Sequence, residues 1–319
     1  MGENIPNGHV VNGDLPANGD VREVGDQHPL PDPAPFLSFS ALKDRIRHHY
    51  EIASEYYFSL WGEHIHHGYF TSPNDTKEVA QRKLIQLLLE KSQLERGGKV
   101  LDVGCGIGGT GRYLAREMGC RVTGVTISGK QVEIAGRLSR EEAAKFPSSV
   151  ANVPGEEGLA GAARDEAMMN GSSASPSATK EVDVIRIGDG SVAFIELDAE
   201  KMGEYFSNAG KLGSFDCVWI SEAMSHLPNK QLFFQNAHKL LRPGGKLVVA
   251  DWFKREEVSE EEMERDIKVI EDGMLLPPLC APSDYVGFAK AAGLKVFAES
   301  FDISKEVAKT WYDVLVLPF

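Results

Sequence analysis

Residues 99–109 read K-V-L-D-V-G-C-G-I-G-G, and this stretch decides the fold. Its first half reads as a strand. Val100, Leu101 and Val103 form the apolar run that a parallel strand buried on both faces needs. Its second half is a glycine turn running into G-R-Y-L-A (residues 111–115), which reads as a helix. A strand, a tight glycine turn and a helix N-terminus let backbone approach a nucleotide-like ligand and leave free N–H groups facing it.

The text downstream repeats this alternation. Residues 121–127 (R-V-T-G-V-T-I) predict a second strand, and Ser128 caps a helix to about Lys145. Residues 182–187 and 192–197 flank a Gly-Asp-Gly-Ser turn and predict a hairpin. Residues 215–221 are a further strand. Residues 229–241 are a helix stopped by R-P-G-G at 242–245, and residues 246–251 a buried strand. An acidic helix (256–271), an apolar stretch (274–282), a helix capped by Ser283 and ending at Ala292, a last strand (294–301) and a last helix (306 to about 315) complete the pattern. Alternating strands and helices predict an α/β fold, a doubly wound, mostly parallel sheet with ligands at the carboxyl ends of its strands. The short C-terminus leaves two outcomes. Either residues 314–317 add a short strand, or the sheet lacks its last strand, with an exposed edge and a less complete pocket.

Upstream, residues 1–37 are rich in Gly, Asn, Asp and Pro without periodicity and read as a disordered tail. Residues 38–75 read as a helical and aromatic lid. Leu42, Ile46, His49, Ile52 and Ala53 have helical spacing, and W-G-E-H-I-H-H-G-Y-F follows at 61–70. Thr76 caps a helix to about Leu94 and opens the main domain, residues 76–319, which is interrupted by a low-complexity insertion at about 146–181.

The 319 residues carry 47 acidic and 34 basic side chains, a net charge of −13, which argues against nucleic acid or an anionic membrane as partner. The four cysteines, Cys105, Cys120, Cys217 and Cys280, include no C-x-x-C pair and suit a reducing compartment. No apolar run reaches membrane-spanning length. The expectation is a soluble cytoplasmic monomer or homodimer acting on a small molecule.

Gly104, Gly106 and Gly109 match G-x-G-x-x-G, so a dinucleotide dehydrogenase is a rival reading. Two features count against it. Asp102 stands inside the strand, and the second strand ends Val125-Thr126-Ile127 without the acid that holds a ribose of NAD. The chain resembles the class I S-adenosylmethionine-dependent methyltransferases instead. The glycine run matches their first motif, and L-D-A-E at 197–200 falls where their adenine-binding acidic motif lies. F-D-C-V-W at 215–219 and L-L-R-P-G-G-K-L at 240–247 match their later signatures. The lid, G-V-T-I-S-G-K-Q at 124–131 and S-E-A-M-S-H-L-P at 221–228 are similar to tocopherol C-methyltransferases and natural-product sugar O-methyltransferases.

The resemblance implies S-adenosylmethionine as cofactor and a Rossmann-like methyltransferase fold. It assigns Asp102, Gly104, Cys105 and Gly106 to the methionine end, with Asp102 alternatively a structural clamp on the turn; Cys105 itself reads as a small apolar filler. Thr126, Ile127 and Gln131 fall at the ribose, Asp198 and Ala199 at adenine, and Ser221 at the end of the fourth strand. Tyr57 and Trp61 would cover the sulfonium from the lid, where cation–π attraction acts. His226 and Asp251 are the catalytic candidates, His226 as general base or as a cofactor or packing residue. Trp61, His64, His66, His67 and Tyr69 invite a metal reading, but they lack ligand spacing with a carboxylate, so no metal is expected. The function implied is O-, N- or C-methylation of a largely apolar small molecule in secondary or lipid-like metabolism. A cofactor-binding cyclase or rearrangement enzyme and a non-catalytic binding module of the same fold are the alternatives.

Overall fold

The structure, a computed structural model, describes residues 38–147 and 182–315. The tail expected at 1–37, most of the insertion (148–181) and residues 316–319 lie outside the described residues.

Strand β1 (Lys99–Val103) is central because both its faces are apolar. Val100 packs with Leu84 and Leu88 on one side of the sheet, and Leu101 and Val103 pack with Phe206 and Phe233 on the other. It pairs in parallel with β2 (Arg121–Thr126) and β5 (Phe215–Ser221). Beyond these lie β4 (Gly190–Glu196) and β6 (Leu241–Ala250), also parallel, and β3 (Ile185–Ile187) closes the expected hairpin antiparallel to β4. The six-stranded order is β3-β4-β2-β1-β5-β6. The chain leaves β1 toward β2 and β4, then returns on the other side to β5 and β6. This reversal opens a crevice above the carboxyl ends of β1 and β5.

Helices α2 (Lys77–Ser92) and α3 (Gly109–Met118) cover one face, and α5 (Met202–Asn208), α6 (Lys230–Leu240) and α9 (Pro282–Ala291) the other. Thr76 and Ser128 cap α2 and α4 (Gly129–Lys145) as their positions predict, accepting from the Val79 and Gln131 N–H groups.

The lid begins with α1 (Phe39–Trp61), capped by Ser38. Leu42 and Ile46 turn inward, but Ile52, expected on the same apolar face, is 41% exposed. The side chains that hold this helix down are charged and recur every four residues, on one face. Lys43 meets Asp198 at 2.9 Å, Arg47 donates to the Ile127 carbonyl, Glu51 accepts from Ser128 Oγ at 2.8 Å, and Glu55 pairs with Arg137.

Four expectations need correction. Residues 294–301 form no strand: Val296, Phe297 and Phe301 are exposed, and the two phenylalanine rings lie under the Lys246 and Lys91 ammonium groups instead of joining a ladder. Strand β6 starts at Leu241 rather than Lys246, because the residues between the register pairs Phe215↔Leu241 and Cys217↔Lys246 bulge without ending the ladder. Helix α9 starts at Pro282, with the Ala281 N–H donating to Asp284, while Ser283 bonds Glu256 and caps nothing. The acidic stretch is broken by a π turn (Met263–Ile267) between α7 (Glu260–Glu262) and α8 (Lys268–Gly273). The final helix α10 (Ser304–Leu315) includes Val314 and Leu315, so they form no strand, and the sheet stops at six strands among the described residues. No described helix is long and apolar enough to cross a membrane.

Backbone crowding fixes the lid against the glycine turn. A Cβ on Gly109 would overlap the Glu63 carbonyl oxygen and come within 2.7 Å of His64 Nδ1. Arg112, buried one turn along α3, bonds the Ile107 and Glu63 carbonyls and the Glu142 carboxylate. Replacing Gly109 by Ala is therefore expected to destabilise the protein by about 1–3 kcal/mol, the usual cost of overpacking. Thermal or urea unfolding measures it, and an unchanged midpoint contradicts the crowding.

Candidate functional site

A cleft of about 1100 Å³, counting its open mouth, lies above the carboxyl ends of β1, β2, β4 and β5. The glycine turn forms its floor. Gly104 has φ +72°, and a Cβ there would overlap the Ala223 side chain, so only glycine lets the turns after β1 and β5 meet. Asp102 rises from β1 into the cleft, and its Oδ2 is buried without a hydrogen-bond partner. Burial pushes its carboxyl up to about 7. The Cys105 thiol beside it is pushed well above its ordinary value by burial, which suits a packing group rather than a nucleophile.

Beyond β2, Thr126 Oγ1 donates to Gln131 Oε1 at 2.5 Å. Beyond β4, the two Asp198 oxygens accept from the Glu200 N–H at 3.0 Å and from Lys43 Nζ. Gly106, Ile127, Ala199, Ser221 and His226 also line the cleft.

Three sequence candidates lie elsewhere. Tyr57, Trp61 and Asp251 are not among the cleft residues. The Tyr57 hydroxyl and His49 Nε2 are 2.7 Å apart in a hydrogen bond, and the Trp61 ring packs edge-on against His67. Asp251 accepts from the Tyr285 hydroxyl of α9 at 2.7 Å. His64, Ile65 and His66 bring the lid loop into the cleft lining, and the residues that sequence reasoning missed include Lys43, Ile46 and Tyr50 from α1 and Glu222 after β5. The four-residue spacing of Lys43, Arg47, Glu51 and Glu55 was a signal for the α1 contribution. Nothing local marks Glu222.

The mycolic acid cyclopropane synthetase family profile matches residues 40–150, and a methyltransferase-domain profile matches residues 172–247. A probable chloroplastic tocopherol O-methyltransferase of Oryza sativa subsp. japonica is 29% identical over 86% of this chain and 66% of its own length. A 2-methyl-6-phytyl-1,4-hydroquinone methyltransferase of Synechocystis is 33% identical over 64% of this chain and 48% of its own. The chain thus spans about half to two thirds of these curated relatives. The cyclopropane synthase MmaA2 of Mycobacterium tuberculosis shares the fold, with a TM-score of 0.59 at 17% identity over 85% of this chain and 81% of that one.

The chain is thus similar to S-adenosylmethionine-dependent methyltransferases in two family profiles, in its curated relatives and in its fold. The glycine floor, Asp102 and the Asp198 turn line one continuous cleft. The unpartnered buried Oδ2 of Asp102 suits a cationic ammonium such as that of a methionine moiety. His226 stands at the far end, its Nε2 3.5 Å from the Tyr50 hydroxyl, and burial lowers its imidazole to about 4. It is neutral at physiological pH but only weakly basic, so proton abstraction by it has little driving force.

Asp251 gives a pH test. Burial raises its carboxyl to about 6, against about 3.9 for an unperturbed aspartate. A raised folded-state value favours folding most below pH 4 and loses that contribution as pH rises through 6. Asp251→Asn keeps an oxygen for Tyr285 and removes the titration. It should raise stability at pH 7.5 by up to about 3 kcal/mol and flatten the decline between pH 4 and 7. Urea denaturation across that range checks both, and an unaltered slope contradicts the assignment.

Proposed function

We propose that this protein transfers a methyl group from S-adenosylmethionine to a largely apolar small molecule. The observation that carries the reading is the cleft itself: close-approach backbone at Gly104, an unpartnered buried Oδ2 at Asp102, and polar groups at Gln131 and Asp198 spaced along one wall. In this reading Asp102 holds the cofactor ammonium, Thr126 and Gln131 hold the ribose, and Asp198 and Ala199 meet adenine. The cofactor supplies an electrophilic methyl carbon on a positively charged sulfur. The chain supplies alignment, and holding two reactants at contact accounts for about 7–11 kcal/mol of barrier lowering.

Lys43 gives Asp198 a second task. Its ammonium bridges Asp198 and Glu200 across the cleft mouth, 2.9 and 2.5 Å away. Helix α1 therefore has to shift for a cofactor to enter, and its charged face closes the mouth afterwards. Four free thiols fit a reducing compartment, which we take to be the cytoplasm, although the rice relative is named chloroplastic. The net charge of −13 makes a neutral or cationic small molecule a better partner than a nucleic acid. A monomer or homodimer is the assembly we propose.

Calorimetry with S-adenosylmethionine and S-adenosylhomocysteine tests the cofactor assignment. Asp102→Asn is expected to weaken both by about 10- to 100-fold, the worth of a hydrogen bond to a charged group. Wild-type affinity should rise between pH 6 and 8 as the Asp102 carboxyl ionises. Absence of binding at millimolar cofactor overturns the reading.

A further inference from the structure

Helix α1 meets the Asp198 end of the cleft through one ammonium shared by two carboxylates. Lys43 Nζ lies 2.9 Å from Asp198 Oδ2 and 2.5 Å from Glu200 Oε2, and the three side chains are only 20%, 13% and 18% exposed. Every carboxylate oxygen in this group has a donor. Asp198 Oδ1 accepts from the Glu200 N–H at 3.0 Å, and Glu200 Oε1 accepts from the Asn229 N–H at 2.8 Å. Asn236 Nδ2 donates to the Glu200 carbonyl at 3.2 Å, so Glu200 is held by both its backbone and its side chain. The two acids differ in one respect. Lys43 and Asp198 line the cleft, and Glu200 does not.

Asp198 therefore has two claims on it. In the methyltransferase reading it accepts from the exocyclic amine of adenine, and in the structure its Oδ2 holds a lysine ammonium. A charged donor makes the stronger hydrogen bond, and a pair this far from solvent is less screened than the exposed pairs along α1. A neutral amine can displace the ammonium only if the ammonium keeps another acceptor, because a charge left unpaired in a partly buried place is costly. Glu200 is that acceptor, already in contact and fixed from two sides.

We propose that Lys43 is a built-in competitor of the cofactor for Asp198, and that Glu200 is the acceptor to which it retires. This rests on the methyltransferase reading above and assigns the regulation of its cofactor site. When the cofactor enters, Nζ gives up Asp198 Oδ2 and keeps Glu200 Oε2. That exchange moves the positive charge out of the cleft lining without leaving it unpaired. Ile46 and Tyr50 follow Lys43 on the same face of α1, about one and two turns on, and both line the cleft, so the competitor is carried by the helix that covers the site. The bonds of Glu51 to Ser128 and of Glu55 to Arg137 do not involve Asp198 and stay made through the exchange. The contact lowers apparent affinity by the fraction of time that Asp198 is blocked. A latch closed about nine-tenths of the time weakens binding about tenfold.

Calorimetry with S-adenosylhomocysteine on the full chain tests the exchange. Lys43→Met keeps the apolar stem and removes the charge. It, and Lys43→Gln as a second neutral replacement, should tighten binding by about fivefold or more. Glu200→Gln keeps an acceptor for the Asn229 N–H but leaves the ammonium wholly on Asp198, and it should weaken binding by about fivefold or more. Added to Lys43→Met, the same Glu200→Gln change should have no effect, because no ammonium remains to be placed. A Glu200 with only a structural role would weaken binding by the same factor in both backgrounds. The inference is overturned if that loss persists without Lys43. It is also overturned if the neutral replacements of Lys43 leave binding unchanged or weaken it, which would make Lys43 a strut of the cofactor site. Absence of binding in the wild type and every variant instead overturns the methyltransferase reading.

Discussion

The structure depends on backbone lying against backbone at the glycine turn. The carbonyl of Glu63 occupies the space that any Cβ on Gly109 would need, and the turn after β5 presses on Gly104 in the same way. These contacts bring three segments far apart in sequence to one point: the lid loop, the turn after β1 and the turn after β5. Arg112 then satisfies carbonyls from two of them with one guanidinium. Without side chains at Gly104 and Gly109, the cleft floor can be made of peptide groups, the surface that a nucleotide-like ligand needs.

Around that floor the charges divide by depth. Along α1, pairs such as Glu55 with Arg137 are exposed and individually weak, so this helix is held by several small interactions. Deeper, burial dominates. It raises the Asp102 and Asp251 carboxyls and lowers the His226 imidazole, although the three have different neighbours. His226 and Asp251, both legible as candidates because they follow strand ends, have different surroundings. His226 lines the cleft and Asp251 accepts from Tyr285. Position in the topology says where a residue's backbone lies, but the side chain's direction depends on which helix packs over it.

The lid shows the same limit. Residues 61–70 are visibly rich in histidine and aromatic side chains, and sequence alone offered a metal reading or a sulfonium cover. The structure distributes them differently. His64 and His66 line the cleft, His67 bonds Glu222, and Trp61 joins two tryptophans contributed by residues 252 and 311.

The sequence by itself determined the central elements and the glycine floor of the cleft. Strand β1, its glycine turn, the Thr76 and Ser128 caps and the hairpin at β3 and β4 are set by local rules: apolar runs for buried strands, glycine for tight turns, hydroxyls for free helix N–H groups. Tertiary structure alone decided the pairings of Lys43 with Asp198 and of His67 with Glu222, each across 155 residues. It also decided that residues 294–301 stay outside the sheet, and that three tryptophans converge on one imidazole. Such contacts leave no periodicity in the chain. They exist because the doubly wound sheet brings its strand ends, lid and final helix to the same edge, and the glycine turn between them is bare enough to let them touch.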